Sequence, residues 1–279
     1  MTIAGINRYD ATTALKKIAS GAFTATDYLK ACLDRVAERE EDVGAFTHLA
    51  AQRALAQAAD TDARPPSGAL NGIPIAIKDI IDTHDMPTEH GSPIYKGSIP
   101  VSDAACVAML RQAGAIILGK TVTPEFAAVT PGRTANPHNF KHTPGGSSSG
   151  SAAAVADFMV PIAIGTQTVG STIRPASYCG VVGYMPSHQI LPLQRRQSAG
   201  RIARQSRHPD SVCGRRRAGC ERDPRLRRAT GGALASRATH WLLSLAALAA
   251  GARIDTASHG GRDRAAAQRR RYGRGRLAA

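Results

Sequence analysis

Residues 145–175 read GGSSSGSAAAVADFMVPIAIGTQTVGSTIRP. A Gly-Gly-Ser-Ser-Ser-Gly run carries Ser147, and a second serine, Ser171, follows 24 residues later within Thr-Val-Gly-Ser. Glycines let a backbone take up left-handed geometry and come close to a ligand. The small residues of 151–157 suit a helix whose first N–H groups face back towards the glycine loop. Residues 160–164 form a short apolar strand, Thr166–Ile173 a second glycine-bearing loop, and Tyr178–Tyr184 a strand-like piece. The loop over 130–150 is long for a compact domain, and loops of that length are usually functional or linkers.

Upstream, NGIPIAIKD at 71–79 alternates with period two. Ile73, Ile75 and Ile77 share one face of a strand; Pro74, Ala76 and Lys78 share the other. Lys78 therefore points away from the isoleucine row. Residues 9–41 are helical in pattern, broken at Gly21. Thr24 or Thr26 caps a second helix with Tyr28, Leu29, Cys32, Leu33 and Val36 on one face. Residues 47–60 read as an Ala-rich helix and 62–68 as a loop. Asp103 is placed to cap a helix through Cys106, Val107, Leu110 and Ala113, which Gly114 ends before a buried strand at Ala115–Leu118. This order of helix, glycine and strand predicts a layered α/β fold.

Two serines and a lysine suffice for acyl transfer when the lysine is uncharged. A hydroxyl is a poor nucleophile until a base takes its proton. A lysine at its reference pKa of roughly 10.4 is almost never free to do so at neutral pH. Lowering that value to about 7–8 costs roughly 3–4 kcal/mol, through burial or neighbouring positive charge. An apolar strand supplies the burial, and a second serine bridges a lysine and a nucleophile too far apart for direct contact. The N–H groups of Thr168, Val169, Gly170 and Ser171 are candidates for an oxyanion hole. Each element alone has a plainer reading. The Gly/Ser run is also a linker composition, and a lone strand lysine is commonly an edge residue. A phosphate loop is excluded because no Gly-Lys-Ser or Gly-Lys-Thr closes the run.

With these residues in view, the chain resembles the amidase signature hydrolases from about residue 9 to 187. The likeness rests on NGIPIAIKD, Gly-Lys-Thr at 119–121, Pro-Glu-Phe at 124–126, Asn136-Pro137, PGGSSSGSAAAVA and GTQTVGSTIRPASYCGVVGYMPS. It implies a mixed-sheet α/β/α fold, with Ser171 as nucleophile, Ser147 as a bridging serine on a cis peptide bond and Lys78 as base. It further implies Ser148 and Arg174 as supporting residues, no cofactor, and a small-molecule amide as substrate. Release of ammonia or an amine leaves an acyl-enzyme that water cleaves. The resemblance also leaves open an amidotransferase component that passes ammonia to a charged tRNA, and a homodimer. Two positions depart from the family pattern: Val169, where glycine is usual, and Met185, where lysine is frequent.

Composition changes sharply past 187. The chain has 279 residues and a formal charge of +15, yet residues 1–187 are almost neutral and contain every lysine. Residues 188–279 hold 21 arginines and 5 acidic residues. An incomplete fold over 1–187, with sheet edges left unpaired, is thus expected to be followed by an aberrant, largely disordered basic tail. Recoding Arg196–Arg207 with one base dropped permits Val-Lys-Ala-Leu-Ala-Glu-Ser-Leu-Asp-Asn-Leu-Gly, the kind of segment the family resemblance calls for, so a reading-frame shift is expected. The rival, a nucleic-acid-binding tail, is disfavoured because stacking aromatics are scarce and the arginines follow no module pattern. Five widely spaced cysteines without a C-x-x-C pair argue for free thiols. His84, His90, His138 and His142 lack tight ligand spacing, so no metal is expected. No apolar run reaches membrane-spanning length, and the N-terminus lacks a signal-like segment. Both point to a cytoplasmic protein.

Overall fold

A computed structural model describes residues 5–185 and the backbone of a strand at 210–214. The first helices, α1 (Ala11–Ala19) and α2 (Ala25–Val43), begin as their sequences dictate. Asp10 accepts from Thr13 N at the start of α1. Thr24 and Asp27 form a reciprocal capping box at the start of α2, and Gly44, at φ 58°, ends it. Next come β1 (Phe46–Leu49), α3 (Ala51–Asp62), β2 (Pro74–Lys78), α4 (Ala105–Gln112) and β3 (Ile116–Thr121). The glycine-serine stretch supplies α5 (Ser149–Ala156), β4 (Ile162–Thr166) and α6 (Ile173–Tyr178), followed by β5 (Val182–Tyr184) and β6 (Asp210–Gly214).

The strands form one mixed sheet in the order β1-β3-β2-β4-β6-β5. β2 lies between β3 and β4 and is parallel to both; the β1–β3, β4–β6 and β5–β6 pairs are antiparallel. Leu118 is an extra residue in β3, because Ile75 pairs with Ile117 and Ala76 with Gly119. Alternation along β2 divides the core. Ile73, Ile75 and Ile77 pack on one face with residues of α1 and α4. Ala76 packs on the other with Leu118, Ala163 and Ala152–Val155 of α5. Gly150 lets α5 sit hard against the sheet edge, since a Cβ there would lie 2.2 Å from Ala45 O and 2.5 Å from Val122 N. Among the described residues no helix is long and apolar enough to cross a membrane.

Several expectations from the sequence are corrected. Residues 46–49 form a strand rather than the start of a helix, because they pair with Gly119–Thr121 of β3. Asp103 does not cap α4, whose N-cap is Ala104 without a side-chain bond. The Asp103 carboxylate instead accepts from His84 N and Arg111 Nε. Residues 173–178 are helical, with Pro175 inside the first turn, where no N–H is required of it. The edge of β4 expected to be left open is covered. Asp210–Gly214, beyond position 187, pairs along its full length. The remaining tail expectations lie outside the described residues.

Candidate active site

Lys78 ends the central strand β2 and is completely buried. Its side chain lies on the α5 side of the sheet, where Nζ donates to Ser147 Oγ at 2.6 Å and to Thr166 Oγ1 at 2.9 Å. Ser147 is itself buried and follows a cis Gly146–Ser147 peptide bond. It stands just before α5, in the loop that approaches the C-terminal ends of the parallel strands.

Ser171 is brought to this point by the backbone. Ser148 N donates to Ser171 O at 2.9 Å, so the residue after Ser147 is joined directly to the second serine. The Ser148 hydroxyl continues the seam, donating to Thr166 O and accepting from Thr166 N, both at 3.2 Å. Thr172 Oγ1 also donates to Thr166 O. Gly165 leaves room for this crossing, because a Cβ there would meet Ser148 Oγ at 2.6 Å. Arg174, in the first turn of α6, donates through Nε and Nη2 to Gly146 O at 3.0 and 2.6 Å.

The loop from Thr168 to Gly170 is partly open to solvent, with Val169 95% exposed. Among the described residues, the N–H groups of Thr168, Val169, Gly170 and Ser171 donate to no backbone or side-chain acceptor. Gln167 shapes the following turn, its Oε1 accepting from Thr172 N and Ile173 N. Thr166 and Gln167 are not singled out by sequence reasoning. The signal that could have found them is their place in the same glycine-bearing loop.

The histidines are scattered. His90 is buried edge-on against Tyr95, and His138 Nε2 lies 2.9 Å from Cys179 O. His84, Asp85 and Asp103 do place ligand-type atoms within 4.8 Å of one another. Those carboxylates are already engaged: Arg111 bonds both, at 2.6 and 2.9 Å, and Arg53 reaches Asp85 at 3.2 Å. The two acids are matched by two guanidiniums, which reads as an ion-pair network. Cys32, Cys106 and Cys179 are buried free thiols.

A family model described as Amidase matches residues 27–212, more than half of the chain. The chain belongs to the amidase family. Among this amidase's relatives is a subunit of the glutamyl-tRNA(Gln) amidotransferase of Mycobacterium bovis (strain BCG / Pasteur 1173P2). The two are 44% identical over 194 residues, covering 66% of this chain and 39% of the relative. The peptide amidase from Stenotrophomonas maltophilia is a solved structure with 36% identity and a TM-score of 0.58, matched over 62% of this chain and 39% of its own. A 6-aminohexanoate cyclic dimer hydrolase shares 28% identity at a TM-score of 0.69, over 76% of this chain and 44% of its own. The amidase thus spans less than half the length of these relatives.

Proposed function

We propose that the chain carries the nucleophilic half of an amide-hydrolysing site, in which Lys78, Ser147 and Ser171 act in sequence. The observation that carries this reading is the 2.6 Å contact between the buried Lys78 Nζ and Ser147 Oγ. With its amine uncharged, Lys78 takes a proton from Ser147 Oγ, which takes one from Ser171 Oγ. Ser171 attacks the amide carbonyl, and the N–H groups of Thr168–Ser171 bind the developing oxyanion. Collapse breaks the C–N bond, and the proton returns through Ser147 to the leaving amine. Water then attacks the ester with the same relay as base, giving a carboxylic acid and free Ser171. Ser148 and Arg174 hold the two serine loops in register.

The substrate is a small carboxylic amide, met in the cytoplasm, and no cofactor takes part. Residues 1–187 hold the N-terminal part of the catalytic domain, and 188–279 reflect a shifted reading frame, so activity in this chain is impaired. A fluorophosphonate probe tests the site. Labelling at Ser171, absent in Ser171→Ala and weaker in Lys78→Ala, supports it; folded protein that takes up no probe refutes it. The identity with the amidotransferase relative favours a second reading, in which released ammonia serves a partner's substrate. Copurification of further subunits distinguishes that case.

A further inference from the structure

A second lysine is as deeply buried as Lys78 but lies on the opposite face of the sheet. Lys120 in β3 pairs with Ile77, while Lys78 pairs with Thr121. Paired residues of neighbouring strands share a face. Thr121 meets Ser151 of α5 at 2.7 Å, which marks the Lys78 side. Lys120 projects into the loop that follows β2. Its Nζ donates to Ile81 O at 2.9 Å, to Pro87 O at 3.2 Å and to Thr88 Oγ1. Asp79 Oδ1 lies 3.6 Å away, and both side chains are within 1% of full burial.

This ammonium is the hub of the turn that begins at the proposed base. Lys78 O accepts from Ile80 N at 2.8 Å and from Ile81 N at 3.0 Å, and Ile81 O is one of the acceptors of Lys120. Asp79 Oδ1 accepts from Glu89 N at 3.0 Å, which draws the far end of the loop to the same point. Asp79 Oδ2 is buried without a hydrogen bond, so the carboxylate depends on the lysine opposite. Burying two charges is costly, and a well-packed apolar pair often serves stability as well or better. Retaining this pair next to Lys78 calls for a role beyond packing.

We propose that Lys120, braced by Asp79, is a positioning residue that fixes the backbone end of β2 from which Lys78 acts. The inference rests on the proposed role of Lys78. Lys120 holds three acceptors spread over residues 81–88, so losing it frees the turn whose N–H groups clasp Lys78 O. A shift on the order of 1 Å at Nζ degrades proton transfer to Ser147 steeply.

The test uses the full chain with Lys120→Met and the double variant Lys120→Met/Asp79→Asn. The double variant removes both charges and guards against simple unfolding. For fluorophosphonate labelling at Ser171, the double variant should reach the same labelled fraction as the unaltered chain. Its maximal inactivation rate should fall by at least about tenfold while probe affinity changes less than about twofold. A purely structural lysine would instead lower the labelled fraction and leave the rate of the folded molecules intact. Hydrogen exchange provides a readout independent of chemistry: Ile80 and Ile81 amides should lose at least about tenfold protection while β4 amides keep theirs. Labelling at the unaltered rate, or unchanged protection at Ile80 and Ile81, overturns the proposal. Absence of labelling in the unaltered chain refutes the role of Lys78 instead, and the exchange experiment still decides whether the clamp exists.

Discussion

Arg174 grips Gly146 with two N–H groups of one guanidinium, at 3.0 and 2.6 Å to the same carbonyl oxygen. The contact joins the helix after Ser171 to the residue before Ser147. A planar fork makes both bonds from one side, which a lysine cannot copy. Arg174→Lys and Arg174→Ala should each lower the turnover number on the order of tenfold through misplacement of the two serines. Because Arg174 is exposed, the thermal midpoint should barely move. A large loss of stability with unchanged turnover per folded molecule contradicts this account.

Ser147 and Thr166 both accept from Lys78, and they should differ in weight. Ser147→Ala removes the proton relay and should cost about 10²–10⁴-fold in kcat. Thr166→Val keeps the shape of the side chain but removes one partner of Nζ, at a cost of about 1 kcal/mol or roughly fivefold to tenfold. Steady-state kinetics on both variants give the ranking. Equal losses would mean that Thr166 shares in the proton path.

Gly165→Ala should disrupt the seam between the two serine loops. The added methyl meets Ser148 Oγ at 2.6 Å, Ser148 Cβ at 2.9 Å and Thr172 Oγ1 at 3.0 Å. Overpacking of this kind destabilises by about 1–3 kcal/mol. Urea denaturation should show that loss, and Ser171 labelling should fall with it. An unaltered denaturation midpoint would show that the seam has slack.

Burial pushes the Lys120 ammonium down from 10.5 to about 8, against the attraction of Asp79 and Asp82. The unfolded chain therefore binds a proton that the folded one has shed between pH 8 and 10.5. Stability from this group rises with pH across that window, by up to about 3 kcal/mol, and its cost is fully present below it. Denaturation from pH 7.5 to 10.5 should show a rising contribution in the unaltered chain that Lys120→Met/Asp79→Asn lacks. Parallel curves would place Lys120 in a more solvated setting.

The coding DNA beyond codon 187 should, in an alternative frame, encode a lysine-containing segment ending in Ser-Leu-Asp across positions 196–207. Sequencing the gene and translating all frames decides this. An alternative frame interrupted by stop codons removes the explanation.

Much of the site can be read from short-range pattern. Strand alternation puts Lys78 on the small-residue face with Ala76, and it lies there because α5 offers mostly alanines to that side. The glycine-serine spacing marks Ser147 and Ser171. Thr166 and Gln167 are not legible, because their roles arise only when β4 comes beside the Ser147 loop. Lys120 escapes notice because it reads as part of an apolar strand, and its main acceptors are backbone carbonyls that no sequence pattern reveals. Phe46–Leu49 merges with the Ala-rich helix that follows, since four residues hold too little periodicity to contradict it. Pro175 hides α6, although a proline in the first helical turn is well tolerated.

Thr166, the residue that accepts from Lys78, sits opposite Asp210 where β4 and β6 pair. The wall of the proposed reaction chamber thus leans on backbone from a stretch whose composition breaks with everything before it. Cutting the gene back to codon 187 to tidy away the arginines would strip that support, exposing a raw sheet margin beside the amine and inviting chains to stick to one another.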